Sequence, residues 1–295
     1  MIRKIELSDK KEVLRISSQI WDGDDYVKFV FDEWAADTKN LFAGYWENGK
    51  LIGFGRMRFL TLADIWLEAL RKNTQTNIKG VGYKIAKYYM EHLKGKRIRS
   101  IRFSTYFGNK ASIKLNEKLG FKRILKLSLK ELLISNYQVK QINKAITEDI
   151  DFEKLNQYIF NSSYLKGTKN FIGKGWVVHH YSKRLLEEFY SEKQYALFIK
   201  NGEIKGAIIF SNVSYNNVFW ISFIEVENER IYNDLLNYVV NKALENNCRK
   251  IQLLVPNIAK LMEYIDLSGF RSWEQNNDFL LYEMPEHLIR QITQV

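Results

Sequence analysis

One segment constrains the fold of this chain more than any other: an apolar strand pattern that leads through a glycine-bearing loop into a helix. Residues 65–70 have the pattern of a strand, Gly80 and Gly82 follow, and apolar residues recur at helical spacing from Val81 to Leu93. The first turn of a helix has backbone N–H groups without intrahelical partners and a partial positive charge, so it stabilises an anion such as phosphate. Glycine there lets the backbone approach the anion closely. The segment therefore predicts an α/β fold with a phosphate-binding turn.

The rest of the first half supports this fold class. The predicted elements are, in order, helices 11–20 and 26–36, strands 41–46, 51–60 and 65–70, helix 80–93, strand 98–106 and helix 110–119. Asn48-Gly49 joins the first two strands, and this dipeptide favours a two-residue hairpin. Gly120 ends the last helix as a left-handed cap, and Phe121 packs behind it.

The second half repeats the order of the first. Asn201-Gly202 joins two strand patterns as Asn48-Gly49 does, and Gly269-Phe270 follows a strand and a helix as Gly120-Phe121 does. The offsets between these pairs are 153 and 149 residues, so the two copies differ by one small loop. We therefore predict an internal duplication.

The duplication predicts two tandem domains, residues 1–135 and residues 149–295, joined near 136–148. Each is expected to be a mixed twisted sheet flanked by helices, in the α/β (α+β) class. The second domain lacks the glycine loop, because its strand at 219–226 is followed by Glu227-Asn228-Glu229-Arg230. These residues have a net negative charge that would repel a phosphate. The phosphate site is therefore expected in the first domain alone, and the second is predicted to be a degenerate copy.

The net charge of +11 is concentrated in one block. Residues 71–130 contain 17 Lys/Arg against 2 Asp/Glu, a net of +15, whereas residues 1–70 and 131–295 have a net of −2 each. In a protein that binds nucleic acid without specificity, the basic residues would extend along the chain or form a tail. The block instead favours a compact polyanionic ligand, and we do not expect a nucleic-acid partner.

Composition excludes several classes of protein. The longest apolar stretch is about seven residues, 218–224, against the roughly 20 needed to span a bilayer, and residues 1–7 do not have the pattern of a signal peptide. The single cysteine, Cys248, excludes an internal disulfide framework and is expected to be a buried thiol. We therefore expect a cytoplasmic protein without a membrane partner. His179 and His180 are adjacent and diverge on any regular element, so we expect no metal site. The oligomeric state stays open.

A second motif indicates the family. Residues 109–121, Asn-Lys-Ala-Ser-Ile-Lys-Leu-Asn-Glu-Lys-Leu-Gly-Phe, resemble the Asn-x-x-Ala/Ser…Glu-Lys-x-Gly-Phe segment of the GNAT superfamily of N-acetyltransferases. Residues 77–82 resemble the pyrophosphate loop of that family, Arg/Gln-x-x-Gly-x-Gly/Ala, with Asn77 at the usual Arg/Gln position. The resemblance implies tandem GNAT domains and acetyl-CoA as the acyl donor. The residues that it assigns to the donor are Leu70, Arg71, Asn77, Lys79, Gly80, Val81, Gly82, Tyr83, Asn109, Ser112 and Asn116.

The resemblance also implies direct acyl transfer to an amine, which must first lose a proton. Glu68 stands where several family members hold a glutamate base; the alternative is a structural carboxylate paired with a nearby arginine. Some members use a tyrosine on the later helix to protonate the departing thiolate, and that position here is Asn116, which cannot do so. Tyr83 and Tyr106 are possible substitutes, and we predict Glu68 and Tyr106 as catalytic residues.

The acceptor side is predicted from residues 21–37, where six acidic residues alternate with aromatic ones and Lys28 is the one basic residue. In GNAT folds the two early helices and their loop form the acceptor wall, so an acidic aromatic wall favours a cationic amine or an α-amino group. The alternative is that the aromatics are core and the acids are helix caps. Residues 25–34 also loosely resemble a segment of the histidine N-acetyltransferase group. The predicted acceptor contacts are Trp21, Asp22, Asp24, Asp25 and Tyr26.

The sequence therefore predicts an acetyl-CoA-dependent N-acetyltransferase that acts on a primary amine of a small molecule, amino acid or peptide. One alternative is a tandem-GNAT aminoacyl-transferase that uses aminoacyl-tRNA, although the intact coenzyme A loop argues against it. Another is a sensor that binds acetyl-CoA without turnover, which the missing tyrosine at 116 makes conceivable.

Overall fold

The computed structural model of the chain describes residues 1–213 and 217–294. Its elements from the N-terminus to residue 147 are β1 (Ile2–Lys4), α1 (Lys10–Ser17), α2 (Val27–Ala36), β2 (Leu41–Glu47), β3 (Lys50–Phe59), β4 (Asp64–Lys72), α3 (Val81–Glu91), β5 (Ser100–Tyr106), α4 (Lys110–Lys118), β6 (Lys122–Leu133) and β7 (Ile146–Thr147). The elements that follow are α5 (Phe152–Phe160), α6 (Ser163–Gly167), β8 (Phe171–Lys174), β9 (Val177–His180), α7 (Lys183–Ser191), β10 (Tyr195–Lys200), β11 (Glu203–Val213), β12 (Val218–Val226), α8 (Glu229–Glu245), β13 (Lys250–Val255), α9 (Ala259–Leu267), β14 (Arg271–Ser272), β15 (Phe279–Glu283) and α10 (Glu286–Thr293).

The chain forms two compact units, and each includes a segment from the other half of the sequence. The first unit consists of residues 1–105, 109–124 and 281–295, and the second of residues 106–108 and 125–280. These units differ from the predicted domains, because residues 125–135 belong with the second unit and residues 281–295 with the first. Long-range contacts decide this division, and sequence periodicity does not report them.

In the first unit the sheet order is β1-β2-β3-β4-β5. The β4–β5 pair is parallel, and the β1–β2, β2–β3 and β3–β4 pairs are antiparallel. The predicted hairpin is confirmed, since Asn48 and Gly49 both have positive φ, 50° and 74°. Gly120 has φ +92°, and Phe121 donates its N–H to the carbonyl of Asn116, which is the predicted left-handed helix end.

The C-terminal segment completes the core of the first unit. Tyr282 is fully buried, and its ring stacks on Phe103 with centroids 5.1 Å apart. The Met284 N–H donates to the carbonyl of Ile101 at 2.9 Å, and the Gly95 N–H donates to that of Thr293 at 2.9 Å. Residues 281–295 are therefore part of the fold of this unit.

The second unit repeats the mixed-sheet plan. Its sheet order is β6-β13-β12-β11-β10-β7, with a parallel β12–β13 pair, and β14 pairs with β6. The strand and the helix predicted before Gly269-Phe270 are present as β13 and α9. Asn201 and Gly202 have φ of 54° and 76°, and Gly269 has φ +93°, so the turns of the first unit recur. The predicted α/β class is confirmed in both units.

Some features of the described ranges bear on protein class. No helix within residues 1–213 and 217–294 is long and apolar enough to cross a membrane. In the same ranges no group of three or more His, Cys, Asp or Glu side chains is arranged to hold a metal ion. The Cys248 thiol is buried, and burial raises its pKa.

Candidate active site

The centre of the candidate site is a stretch of β4 that leaves its parallel neighbour. The pairing of β4 with β5 runs from Asp64–Ser100 to Trp66–Arg102, although β4 continues to Lys72. On its other side β4 bulges, because Phe54 and Arg56 of β3 pair with Arg71 and Glu68 respectively. Ala69, inside the bulge, has φ +54°, an unfavourable value for a residue with a Cβ. Backbone groups of β4 past Trp66 are thus available to a ligand on the β5 side.

The second part of the site is the start of α3. Gly80 is the N-cap residue, with φ +75°, and no side chain within residues 1–213 and 217–294 caps the helix. The N–H groups of Val81, Gly82 and Tyr83 lie in the first turn, where a helix provides no backbone acceptor. Lys79 precedes them with an exposed side chain. This end of α3 has the partial positive charge and the free donors that a phosphate requires.

The two glycines of the loop have different roles. A Cβ at Gly80 would meet no atom within 4 Å, so this position is open, as a phosphate-binding turn requires. A Cβ at Gly82 would lie 2.6 Å from a methyl group of Leu115 and 3.1 Å from one of Leu70. Gly82 is therefore required by the packing of α3 on α4 and β4. This replaces the explanation that both glycines serve the anion.

The α4 residues assigned to the donor also bind one another. Asn109 caps α4 by accepting the Ser112 N–H at 3.2 Å, and Asn116 donates its amide to the Ser112 carbonyl at 2.9 Å. Asn116 is buried, with 7% of its surface exposed. The side chains of Asn109 and Asn116 thus stabilise α4, whatever contact they make with a donor.

Glu68 lies in an ion-pair network on β3 and β4. Its carboxylate accepts a hydrogen bond from Arg56 at 2.8 Å, and Arg56 also donates to Asp37 at 2.8 Å. The Trp34 ring lies 4.5 Å from the guanidinium. Burial raises the pKa of Glu68 and outweighs the attraction of Arg56 and Arg58. Glu68 is therefore paired with an arginine, as the structural alternative predicted. The raised pKa of Glu68 is also suited to a general base.

Arg56 was missed by sequence reasoning, and Asp37 was counted among the six acidic residues of the acceptor side without a partner. Arg56 is 4% exposed. Burial raises the pKa of Asp37, but hydrogen bonds from Asn40, from backbone N–H groups and from Arg56 outweigh it and lower the pKa to about 2. The signal that could have indicated the network was an arginine between apolar neighbours in a predicted strand, since buried charges are almost always paired.

The structure changes the role of one residue of the predicted acceptor wall. Asp25 is fully buried, and its carboxylate accepts hydrogen bonds from Arg71 at 3.0 and 3.1 Å and from Ser17 at 3.0 Å. Asp25 and Arg71, assigned to the acceptor and to the donor, bind each other. Their charged groups therefore serve the fold, because removing either would leave a buried charge unpaired.

The other wall residues stay accessible. Trp21 is 51% exposed, and its ring lies 4.7 Å from the Arg71 guanidinium. Asp22 and Asp24 are exposed, and Tyr26 is half-buried with its ring 5.7 Å from the same guanidinium. Trp21 and Asp22 have φ of 48° and 54°, a conformation that is strained for such residues.

The wall is tied to the phosphate loop. The side-chain carbonyl of Gln19, just after α1, accepts hydrogen bonds from the N–H and the hydroxyl of Thr74, both at 2.8 Å. Thr74 lies between β4 and α3. The loop before α3 and the loop after α1 are thus held together by side chains.

The two tyrosines considered as acids differ in environment. Tyr83 is on the first turn of α3 and is 46% exposed. Tyr106, the last residue of β5, belongs to the second compact unit, where its ring packs edge-on against Trp273 with centroids 5.5 Å apart. The structure therefore brings Glu68, the glycine loop, the α4 residues and the wall into one unit, and Tyr106 makes its contacts in the other.

The equivalent region of the second unit is closed by its own side chains. The pairing of β12 with β13 runs from Val218–Lys250 to Ile221–Leu253. Beyond it the Tyr164 hydroxyl of α6 donates to the carbonyl of Leu254 at 2.7 Å and lies 3.3 Å from that of Ser222. Helix α8 is capped, because the Asn228 side chain accepts the Ile231 N–H.

Similarity to known proteins agrees with this geometry. The model of the acetyltransferase (GNAT) family matches residues 10–121. No curated protein matches the chain. The chain is similar to a solved GCN5-related N-acetyltransferase from Sphaerobacter thermophilus, with 11% identity and a TM-score of 0.65 over 96% of this chain and 94% of that one.

Two further solved structures cover nearly the whole chain. A putative acetyltransferase from Thermoplasma acidophilum has 14% identity and a TM-score of 0.60, over 96% of this chain and 98% of that one. A tandem GNAT protein from the clavulanic acid biosynthesis pathway has 10% identity and a TM-score of 0.58, over 96% and 97%. Such identities establish the fold alone. Residues 10–121 therefore belong to the GNAT acetyltransferase family, and the chain as a whole has a tandem GNAT fold.

Proposed function

We propose that the protein is an acetyl-CoA-dependent N-acetyltransferase that acts on a primary amine by direct transfer, and that it works in the cytoplasm. The observation that carries the proposal is the combination of an uncapped α3 start with a stretch of β4 that is unpaired on its β5 side, in one compact unit. The start of α3 can bind a phosphate, and the unpaired stretch of β4 can form backbone hydrogen bonds with an extended ligand.

Acetyl-CoA, when bound, would supply an acyl group activated as a thioester. The N–H groups of residues 81–83 would hold its pyrophosphate, and the exposed ammonium of Lys79 would add a positive charge. The backbone of β4 past Trp66 would hold the pantetheine arm. These groups are on a helix and a strand, so they need little reorganisation when a donor binds.

Glu68 is the proposed base. A free amine is an ammonium near neutral pH, and its proton must leave before the nitrogen can attack. Because burial raises the pKa of Glu68, its carboxylate is a stronger base than an exposed glutamate. The hydrogen bond from Arg56 fixes Oε1. The base acts when deprotonated, so the rate should rise as the pH increases through the raised pKa of Glu68.

Trp21, Asp22 and Asp24 are the proposed acceptor contacts. The carboxylates attract a cationic amine, and the exposed indole face offers a cation–π surface. A thiolate with a pKa near 8.5 can leave without a proton donor, so Asn116 does not prevent turnover.

Thiol release from acetyl-CoA with a panel of primary amines tests the proposal. The wild-type protein should release thiol with at least one amine, and Glu68→Gln should lower kcat by about 10²–10⁴-fold with an unchanged KM for acetyl-CoA. Glu91→Gln, an exposed glutamate at the end of α3, is the matched control and should keep the wild-type rate. Full activity of Glu68→Gln would assign Glu68 a structural role alone. Binding of acetyl-CoA without thiol release for any amine would favour the sensor alternative.

A further inference from the structure

Arg58 is a half-buried cation on β3 close to the proposed base. Three other arginines of the first unit, the buried Arg56 and Arg102 and the half-buried Arg71, form ion pairs with carboxylates. In the described ranges the Arg58 guanidinium forms no hydrogen bond and no ion pair within 4.0 Å. A guanidinium that is partly removed from water without a hydrogen-bonded anion is costly, and this favours a partner that is supplied from outside the chain.

The strand register places Arg58 beside Glu68. Arg56 pairs with Glu68, and Arg58 pairs with Trp66 two residues further along β4. Alternate residues of a strand point to the same face, so Arg58 is on the face where Trp34 stacks on Arg56. Diagonal neighbours on adjacent strands are within reach of long side chains. The positive charge of Arg58 lowers the pKa of Glu68 and so opposes the rise that burial causes.

The order of groups along β4 places Arg58 on the acceptor side. The phosphate loop follows Lys72, the bulge is at Ala69, and Glu68 comes next on the way back towards Trp66. A donor that extends from the loop along β4 reaches the bulge and Glu68 first. Arg58 lies beyond Glu68, on the side away from the loop.

We propose that Arg58 binds a carboxylate of the acceptor, so that the acceptor is a free α-amino acid. This inference rests on the proposed function. A guanidinium binds a carboxylate through two parallel hydrogen bonds, and in an α-amino acid the amine is on the carbon next to that carboxylate. A carboxylate held by Arg58 therefore leaves the amine close to Glu68. Arg56 cannot take this role, because Asp37 and Glu68 already bind its two terminal nitrogens and its Nε is buried.

The test compares each amino acid with its amide, which keeps the side chain and the amine but lacks the negative charge. The probes are phenylalanine, histidine and lysine and the three corresponding amino acid amides, with acetyl-CoA at saturation. The wild-type protein should prefer at least one acid over its amide in kcat/KM. Arg58→Ala should lower that preference by about 10–100-fold, since hydrogen bonds to charged groups contribute about 1.5–3 kcal/mol. Arg58→Lys should restore part of it.

Arg97→Ala, which removes an exposed arginine of the same unit, is the control and should leave the preference unchanged. An unchanged preference in Arg58→Ala, or a wild-type protein that acetylates the amides better than the acids, would overturn the inference and leave the proposed function standing. If neither acids nor amides are acetylated, the proposed function fails for this class of amine. Equilibrium binding of the same amino acids to the wild-type protein then tests the carboxylate contact of Arg58. Binding that is lost in Arg58→Ala supports the inference, and binding that is absent in the wild-type protein or unchanged in Arg58→Ala overturns it.

Discussion

The two units begin the helix after their central strand in different ways. In the first unit α3 starts at Gly80, with no side-chain cap and with open space around the position of a Cβ. In the second unit α8 starts at Asn228, whose side chain accepts the Ile231 N–H, and Glu229 adds a negative charge to the first turn. The donors and the partial charge that the first unit leaves for a ligand are neutralised in the second by its own residues.

The two units also differ in what occupies the space where their parallel strands, β4 and β5 or β12 and β13, separate. In both units the parallel pair separates after four or fewer paired residues, at Trp66–Arg102 and at Ile221–Leu253. In the second unit the buried hydroxyl of Tyr164 satisfies the freed carbonyl of Leu254. The same strand geometry is therefore a candidate site in one unit and hydrophobic core in the other. The side chains that fill it decide which.

The largest expected effect concerns the completeness of the first unit. A chain that ends at Leu280 lacks Leu281, Tyr282 and Ile289, which are buried in that unit, and it should be insoluble. A fragment of residues 1–148 lacks the same segment and should also be insoluble. Expression followed by size-exclusion chromatography measures this, with His287→Ala in the full chain as the folded control, because His287 is exposed. A soluble, active fragment would show that residues 281–295 are dispensable.

A smaller effect is expected from Tyr164→Phe, which keeps the ring but leaves the Leu254 carbonyl without its donor. The free energy of unfolding should fall by about 1–3 kcal/mol, which is the cost of an unsatisfied buried acceptor. Tyr83→Phe is the control for stability, because Tyr83 is 46% exposed. Denaturant unfolding gives the difference. An unchanged midpoint would mean that the Tyr164 hydroxyl does not stabilise this region.

The smallest effect is expected on the acceptor wall. Asp22→Asn combined with Asp24→Asn should raise the KM for the acceptor about two- to thirtyfold and leave the KM for acetyl-CoA unchanged, because exposed charges contribute about 0.2–1 kcal/mol each. The pair Glu91→Gln and Glu286→Gln removes the same charge from exposed positions of the first unit outside the wall. If this control raises the KM for the acceptor equally, the effect comes from overall charge and not from the wall.

Local features of the fold were predictable, and partners across the chain were not. The positive φ of Asn48, Gly49 and Gly120 follows from residue type and neighbours, so the turns were identified correctly. The pair Asp25–Arg71 joins residues 46 positions apart, and a sequence shows the two charges but not their pairing. For the same reason Asp25 was assigned to a substrate. The return of residues 281–295 to the first unit depends on packing that no local pattern encodes.

The central claim is that one unit binds the acyl donor and the other does not. Titration calorimetry with acetyl-CoA on the full chain measures the number of sites, and we predict one site per chain. Gly80→Val should abolish it, whereas Gly202→Val should keep it. Both glycines have nearly equal φ, 75° and 76°, and open space around them, so the backbone strain is matched. Two sites per chain, or binding of acetyl-CoA that survives Gly80→Val, would contradict the claim.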